Sequence, residues 1–277
     1  MNVQLRRSAL HRASRLLLAA CAGVALVACS TSPTGRSQLA FFPQGELNRM
    51  GLAAYEQMKE QTPATDSDAK RAYVQCITDA LIAELDSRDQ RRHDWEVTVF
   101  EDDAVNAFAL PGGKMGVYTG LLDVADNQHQ VATVMGHEIG HVLADHGNER
   151  MSTAFATSAG LQVVQIIGDD GSPQRAQILG LLGLGAQVGI MLPFSRTHER
   201  EADVIGLDLM ARAGFDPQES VRLWQNMADA SGGQPPEFLS THPAHGTRIR
   251  NLQDHMPDAM EKYEAARQAG KRPQCSL

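Results

Sequence analysis

The sequence predicts a mainly helical α+β fold with one small β-sheet, and three observations support this prediction. Three short strand patterns lie between residues 95 and 119, whereas almost everything after Gly120 has the spacing of helices. The 277 residues are 43% hydrophobic, which is enough to bury the core of one ordinary domain. No internal repeat is visible, so we expect one folded domain at residues 46–256, followed by a C-terminal helix and tail at 257–277.

The N-terminus has the pattern of an export signal. Residues 1–15 carry four arginines and no acidic residue, and residues 16–28 are apolar but too few to span a bilayer comfortably. The sequence Leu26-Val27-Ala28-Cys29 resembles the bacterial lipobox, which predicts a signal peptide at 1–28 and a lipid on Cys29. By resemblance to Gram-negative lipoproteins, Ser30 in the next position predicts the outer membrane. The alternative is a soluble periplasmic protein with a chance cysteine at the cleavage site.

The charge balance and the cysteines narrow the class of protein further. Without the four N-terminal arginines, 21 of the 25 basic residues remain against 33 acidic ones, so we exclude nucleic acid as a partner. Besides Cys29, the exported chain keeps Cys76 and Cys275. An oxidising compartment allows a disulfide between them that would close a long loop and hold the C-terminal tail, and two unreactive thiols are an equal alternative.

The elements before the sheet follow from composition and periodicity. Residues 29–45 are rich in Ser, Thr, Pro and Gly, which predicts a lipid-anchored tether. Helical spacing then predicts helices at 44–61 and 67–86, the second with an apolar face. The charged run 86–94 predicts a solvated loop. The apolar face of the second helix consists of Val74, Ile77, Leu81, Ile82 and Leu85.

The strands of the small sheet are recognised by alternation and by their turn. Residues 95–100 alternate and are rich in β-branched side chains. Residues 106–110 and 114–119 flank Pro111-Gly112-Gly113, and this arrangement predicts a β-hairpin.

Helices are predicted over most of the second half. Asp126 is placed to cap a helix that runs to about His146 and ends at Gly147. The uncharged segment 176–192 contains four glycines, which predicts a packed hairpin or a membrane-touching flap rather than a transmembrane span. The other helices are predicted at 151–168, 174–192, 196–213, 217–230, 244–255 and 257–269.

The pattern that indicates chemistry is His137-Glu138-Ile139-Gly140-His141. Residues four apart lie on one face of a helix, so both imidazoles can reach one metal ion. Zinc prefers nitrogen ligands and lowers the pKa of a bound water to about 7, and Glu138 is placed to accept a proton from that water. Gly140 weakens a helix, so its presence predicts the close approach of another chain segment.

A zinc site of this kind needs a third protein ligand. The metzincin pattern would place it at residue 147, which is glycine, and this excludes that class. Glu199 and Asp203 lie four apart on the predicted helix 196–213 and face one way. We expect Glu199 to be the third ligand, Asp203 to orient a ligand imidazole, and Glu201 to be a solvated charge.

These motifs are similar to those of the HtpX- and CAAX-prenyl-protease-like gluzincin metallopeptidases, in particular their periplasmic BepA- and LoiP-like lipoprotein branch. The resemblance covers about residues 34–255 and implies a zincin-like domain, one zinc ion per chain, endopeptidase activity and a role in envelope protein quality control. The multiple transmembrane helices of the HtpX and prenyl-protease branches are missing, which argues against prenylated substrates. The matching stretches are 34–39, 106–113, 136–142, 199–203 and 241–243, with Arg248 and Ile249.

The resemblance also implies roles for three more residues. Asn106 begins the strand expected to bind the substrate backbone beside the zinc. His242 is expected either to stabilise the oxyanion or to occupy the open zinc position and hold the enzyme latent, with a loop cap as the alternative. Arg248 is expected to pair with Asp203 or a nearby carboxylate, with a surface charge as the alternative. Five other histidines have no comparable partner in the pattern and are expected to be solvated: His129, His146, His198, His245 and His255.

The sequence thus favours a zinc-dependent endopeptidase, lipid-anchored to the inner face of the outer membrane, that hydrolyses misfolded or stalled envelope proteins with Glu138 as general base. The alternative is a chaperone-like factor whose proteolysis is latent and whose partner is the outer-membrane assembly machinery. A pure binding module, however, has no need of Glu138. A lipoprotein with a structural zinc is disfavoured, because structural sites usually have four closed ligands with cysteine among them.

Overall fold

The computed structural model describes residues 29–167, 194–230, 237–242 and 247–277. The predicted signal peptide 1–28, the glycine-rich segment 176–192 and His245 lie outside the described residues. The described strands are β1 Cys29–Thr31, β2 Ser37–Leu39, β3 Glu96–Phe100, β4 Ala107–Leu110 and β5 Lys114–Tyr118. The described helices are α1 Gln44–Gln61, α2 Asp68–Ile82, α3 Ser87–Arg92, α4 Thr119–Val124, α5 Gln128–Leu143, α6 His146–Ile167, α7 Arg196–Arg212, α8 Glu219–Ala230, α9 Glu237–Thr241 and α10 Arg248–Gln268.

The larger sheet has the order β3-β5-β4, with β3 parallel and β4 antiparallel to β5. The predicted hairpin is confirmed, since Ala107 pairs with Val117. Gly112 and Gly113 join its strands with φ angles of 92° and 84°, which favour glycine. β4 is therefore an edge strand, and its outer side faces the helix α5 rather than another strand.

The helix α5, which carries the HExxH pattern, lies in the centre of the core. Every residue from Gln130 to His141 is buried. The predicted apolar face of α2 packs into the same core, where Val74, Ile77 and Leu81 are fully buried. Each of these side chains contributes about 1.5–3 kcal/mol when it leaves water, so the motif helix is held by packing rather than by its own propensity.

The helices α5 and α7 cross at a contact between glycines. A Cβ atom on Gly140 would lie 2.9 Å from the carbonyl oxygen of Ala202, and one on Gly206 would lie 2.7 Å from the carbonyl carbon of Gly136. No side chain fits at this crossing, so the two backbones approach closely. The predicted close approach at Gly140 is confirmed, and it brings the motif histidines next to α7.

Several predicted helix boundaries are wrong. α2 ends at Ile82 rather than at residue 86, and α6 begins at His146 rather than at residue 151. Asn127, not Asp126, caps α5, because its side chain accepts hydrogen bonds from two backbone N–H groups of the first turn. α5 ends at Leu143 rather than at Gly147, since Asp145 breaks the helix with a φ of 55° and α6 begins at the next residue. The charged run 86–94 forms the short helix α3, which the side chain of Asp86 caps. The run is largely exposed as expected, except for His93, which is buried.

The segment 29–45 is not an extended tether over its whole length. β1 and β2 pair as an antiparallel hairpin, and the segment packs on the domain. Gln38 is buried and its Nε2 donates to the carbonyl oxygen of Ala144 at 2.9 Å, while the backbone N–H of Phe41 donates to Ser152 at 2.8 Å. Composition alone missed this because the partners lie more than 100 residues away in the sequence.

The C-terminal region also differs from its prediction. Residues 248–268 form one continuous helix with Pro257 inside it, instead of two helices divided near residue 256. Leu252 and Ala259, on either side of the proline, are both buried, and their packing outweighs the backbone hydrogen bond that Pro257 removes. A disulfide joins Cys76 to Cys275 and attaches the tail to α2, so of the two alternatives the disulfide is present and not a pair of free thiols.

Among the described residues, no helix has the length and apolar character that crossing a membrane requires.

Candidate metal centre

Four buried side chains, three from two helices and one from the residue after α9, meet beside the crossing of α5 and α7. His137 and His141 come from α5, Glu199 from α7, and His242 follows α9 directly. Each offers one ligand atom, and these atoms all lie within 4.8 Å of one another. The expected ligands are therefore brought together, and His242 joins them.

The spacing of the four atoms fits one zinc ion. Nε2 of His137 lies 3.0 Å from Nε2 of His141, 3.5 Å from a carboxylate oxygen of Glu199 and 3.3 Å from Nδ1 of His242. Glu199 also lies 3.4 Å from Nε2 of His141 and 3.1 Å from Nδ1 of His242. Ligands at 2.0–2.1 Å from zinc in a tetrahedron are separated by about 3.3 Å, so both the spacing and the donor set suit this metal.

The start of α7 explains where Glu199 lies. Ser195 caps the helix, with its hydroxyl accepting from the backbone N–H of His198 at 3.2 Å and its own N–H directed at the His198 ring. Glu199 consequently stands in the first turn, where the helix dipole favours a negative charge. One turn later, Oδ1 of Asp203 lies 2.9 Å from Nδ1 of His137, in the orienting position expected from the sequence.

Arg248 connects the two carboxylates of α7. Its guanidinium donates to Asp203 at 2.6 Å and to Glu199 at 2.9 Å, and it lies over the ring of Trp224 at 3.7 Å. The side chain is buried, so the surface-charge alternative for Arg248 does not hold. The arginine holds both carboxylates in fixed positions. Glu199 is an expected metal ligand, and Asp203 contacts the expected ligand His137.

The electrostatics of the group favour a positive charge at its centre. Burial alone would raise the pKa of Glu199, but hydrogen bonds with the three histidines hold it well below its ordinary range. Burial and Arg248 lower the pKa of His137, yet Asp203 and Glu199 outweigh them and raise it to about 9. Burial holds the pKa of His141 well below its usual value. A metal cation satisfies the same carboxylates without placing a proton on His137.

Glu138 lies between the ligand group and the edge strand. Its Oε2 accepts a hydrogen bond from the backbone N–H of Ala109 at 2.9 Å, and its Oε1 is 3.4 Å from Nε2 of His242. The side chain is only 1% exposed, and this burial raises the pKa of the Glu138 carboxyl. A carboxylate with a raised pKa beside a group of metal-ligand side chains is suited to accept a proton and to return it.

The edge strand β4 presents its backbone to the site. The carbonyl oxygen of Asn106 accepts from the N–H of Tyr118 at 3.0 Å, so the alternating backbone groups of Ala107 and Ala109 point away from β5. Asn106 itself lies directly before β4, not within it, and is buried. The unpaired edge of β4 therefore faces the HExxH helix α5.

Two phenylalanines that sequence reasoning missed hold His242. Its ring stacks on Phe238 at a centroid distance of 4.5 Å and on Phe194 at 4.9 Å. Phe194 also stacks on the His141 ring at 3.8 Å and lies under the guanidinium of Arg150 at 3.6 Å. Phe238 lies four residues before His242, a helical spacing that could have indicated the contact, whereas nothing local indicates Phe194.

Three predicted solvated residues are instead buried in a second polar cluster. Nδ1 of His146 lies 2.8 Å from Nδ1 of His141, and its Nε2 lies 3.1 Å from Glu201. His198 contacts Glu149 at 3.0 Å. Burial alone would raise the pKa of Glu201, but hydrogen bonds from His146 and from the N-terminal hairpin hold it well below its ordinary range. The predictions for His146, His198 and Glu201 are wrong, because their partners come from other elements.

Two more of the histidines predicted to be solvated are described, His129 and His255. His129 is half-buried, and its Nδ1 accepts from the backbone N–H of Asp216 at 3.1 Å, so it is not fully solvated. His255 is exposed as expected. The Cys29 side chain lies outside what the structure describes, so its lipidation stays a prediction.

Comparison of the sequence with known proteins identifies a family. The model of peptidase family M48 matches residues 68–256. The mitochondrial metalloendopeptidase OMA1 of Schizosaccharomyces pombe is 36% identical over 196 residues, which cover 70% of this chain and 55% of that protein. The beta-barrel assembly-enhancing proteases of Yersinia pestis and Escherichia coli are 33% and 30% identical, covering 74% and 76% of this chain and 43% and 44% of theirs.

The chain spans about half the length of the curated relatives it matches. The family match nevertheless covers the sheet, the HExxH helix, the Glu199 helix and Arg248 together. The chain belongs to peptidase family M48.

Proposed function

We propose that this protein is a zinc-dependent endopeptidase. The observation that carries the proposal is the position of Glu138, which is hydrogen-bonded to the edge strand through Ala109 and lies beside the His137, His141 and Glu199 group. Zinc, when bound, supplies a Lewis acid that polarises a peptide carbonyl and lowers the pKa of a coordinated water.

Other residues of the chain bind the peptide, transfer the proton and hold the metal ligands. The outward backbone groups of Ala107 and the outward carbonyl of Ala109 bind an extended peptide as an added strand, while the N–H of Ala109 stays on Glu138. Buried Asn106, whose carbonyl accepts from Tyr118, supports the start of β4. Glu138 accepts the proton of the attacking water and passes it to the leaving amine. Asp203 and Arg248 keep His137 and Glu199 in position.

The location and substrates are proposed from the N-terminal pattern. The signal-like residues 1–28 and the lipobox ending at Cys29 support export and a lipid anchor at the inner face of the outer membrane. Relatives named for beta-barrel assembly and relatives named as mitochondrial are similar to comparable degrees, so similarity alone does not choose between compartments. With the export signal, we propose misfolded or stalled envelope proteins as substrates.

A second candidate, an assembly factor whose proteolysis is latent, is supported by His242. Catalytic zinc sites keep one position open, whereas here His242 brings a fourth candidate ligand atom to the group. With a metal bound, Nδ1 of His242 would compete with a water or a substrate carbonyl for the fourth position. Under this candidate the described state is a resting one, and His242 moves before peptide bonds are cut.

The test is cleavage of unfolded casein by purified protein with zinc, with a chelator, and with Glu138→Gln. We expect cleavage by the wild-type protein that the chelator abolishes and that Glu138→Gln lowers by about 10²–10⁴-fold. Absence of cleavage by the zinc-bound wild type, together with cleavage by His242→Ala, would favour the latent assembly factor. Chelator-resistant cleavage that Glu138→Gln retains would exclude the proposed mechanism.

A further inference from the structure

The two motif histidines are supported in different ways. Nδ1 of His137 contacts the carboxylate of Asp203 directly, at 2.9 Å. Nδ1 of His141 instead contacts Nδ1 of a second imidazole, His146, at 2.8 Å. His146 is fully buried at the start of α6, directly after Asp145 has turned the chain. Among the described residues, Nδ1 of His141 therefore contacts no carboxylate directly, but it is linked to one at the far side of His146.

The hydrogen positions along this chain are determined by chemistry. His141 binds a metal through Nε2 as a neutral imidazole, so its proton is on Nδ1 and must be donated. Nδ1 of His146 has to accept it, which places the His146 proton on Nε2. That proton points at Oε2 of Glu201, 3.1 Å away. The other neutral tautomer of His146 would set two N–H groups against each other at 2.8 Å.

Glu201 is in turn held by the N-terminal hairpin. Nε of Arg36 donates to Oε2 of Glu201 at 2.9 Å, and the Thr34 hydroxyl donates to Oε1. The Arg36 guanidinium also donates to Glu149 at 2.7 Å, which contacts His198. Glu201 is 5% exposed, so these contacts and not water satisfy its oxygens.

We propose that Glu201, acting through His146, is a positioning residue for the metal ligand His141, and that Arg36 couples docking of the β1–β2 hairpin to metal affinity. The inference rests on the proposed ligand set and adds to it. Partners of ligand histidines typically contribute 10–100-fold to metal affinity, because they fix the ring and its tautomer. Coupling is reciprocal, so a hairpin that raises zinc affinity must itself be held more tightly when zinc is bound.

The first experiment measures zinc affinity by competition with a chromophoric chelator, for full-length wild type, Glu201→Gln, His146→Phe and Arg36→Gln. The matched control is Asp208→Asn, which removes a carboxylate of the same helix that is paired with Arg212 at 2.8 Å and makes no contact with the site. We expect about 10–100-fold weaker binding for Glu201→Gln and His146→Phe, a smaller loss for Arg36→Gln and none for Asp208→Asn.

The second experiment tests the coupling between zinc binding and docking of the β1–β2 hairpin. Zinc should slow amide hydrogen exchange in residues 32–39 of the wild type, and this protection should shrink in Glu201→Gln. Nitrogen-15 spectra of the zinc-loaded wild type should show His146 protonated at Nε2 only. A purely structural role for Glu201 would lower thermal stability but leave this zinc-dependent protection intact.

The outcomes separate this inference from the proposed function. Wild-type zinc affinity for Glu201→Gln, with no change in hairpin protection, would overturn the coupling while the metal site stands. A wild-type protein that binds no zinc, or that binds it unchanged after Glu199→Ala, would overturn the ligand set itself.

Discussion

Glu138 and Ala109 are joined by a 2.9 Å hydrogen bond that ties the HExxH helix to the edge strand of the sheet. The donor is a backbone N–H and the acceptor is the side chain proposed as general base. The group that moves protons is thus positioned by the strand proposed to hold the substrate, and the following expectations depend on this arrangement.

Glu138→Gln should keep the fold and bind zinc with near wild-type affinity, because glutamine can still accept from Ala109 and position 138 is not a ligand. Turnover of unfolded casein should fall by about 10²–10⁴-fold. Metal content and initial rates on the same preparation check this. Near-normal turnover would remove Glu138 from the mechanism.

Glu199→Ala should lose zinc far more completely than Glu201→Ala. Glu199 supplies an oxygen to the ligand group, whereas Glu201 acts through His146. Metal analysis after dialysis against a weak chelator separates the two variants. Retention of zinc by Glu199→Ala together with its loss from Glu201→Ala would show that the ligand assignment is wrong.

His242→Ala should raise the initial rate on unfolded casein at matched zinc content, because it opens the position that His242 fills. His255→Ala, at an exposed histidine, is the control and should behave as wild type. A fall of about two to three orders of magnitude would instead assign His242 to oxyanion stabilisation.

Gly206→Ala should destabilise the fold and weaken zinc binding together. Its Cβ would lie 2.7 Å from backbone atoms of Gly136 and His137, so α5 and α7 must separate. We expect a loss of about 1–3 kcal/mol in the free energy of unfolding. Gly45→Ala in α1 is the control, since nothing lies within 4 Å of its Cβ. Equal stability of Gly206→Ala and wild type would contradict the close crossing.

His93 should make stability depend on pH. It packs on Trp95 at 5.1 Å, and burial, with a smaller effect of Arg92, lowers its pKa to about 4. The unfolded chain, with an ordinary pKa near 6.5, binds more protons between these values, so stability falls as the pH drops from about 7 toward 4. Between pH 7 and pH 5 the contribution is about 1–2 kcal/mol. Denaturant unfolding of wild type and His93→Phe at both pH values measures it, and parallel pH profiles would contradict the assignment.

Local pattern in the sequence determined the parts of the site that lie on one element. The spacing of His137 and His141 places both on one helix face, and the glycine at 140 indicates a close crossing. Glu199 and Asp203 share a face for the same reason, and the Pro-Gly-Gly turn determines the hairpin that makes β4 an edge strand. Periodicity and turn chemistry act over a few residues, so one sequence is enough to read them.

Tertiary structure alone decided which polar side chains are buried together. Arg36 and Glu201 are 165 residues apart, and a charged helix residue has the same local pattern whether it meets water or a buried arginine. The predictions for His146 and the hairpin 29–39 were wrong for this reason. The helix that continues through Pro257 was missed because the apolar packing of Leu252 and Ala259 is also tertiary. Only the packing of α5, α6, α7 and the N-terminal hairpin removes water from these groups. A polar side chain that is removed from water needs a hydrogen-bond partner within the protein. This requirement determines the contacts that support the metal ligands.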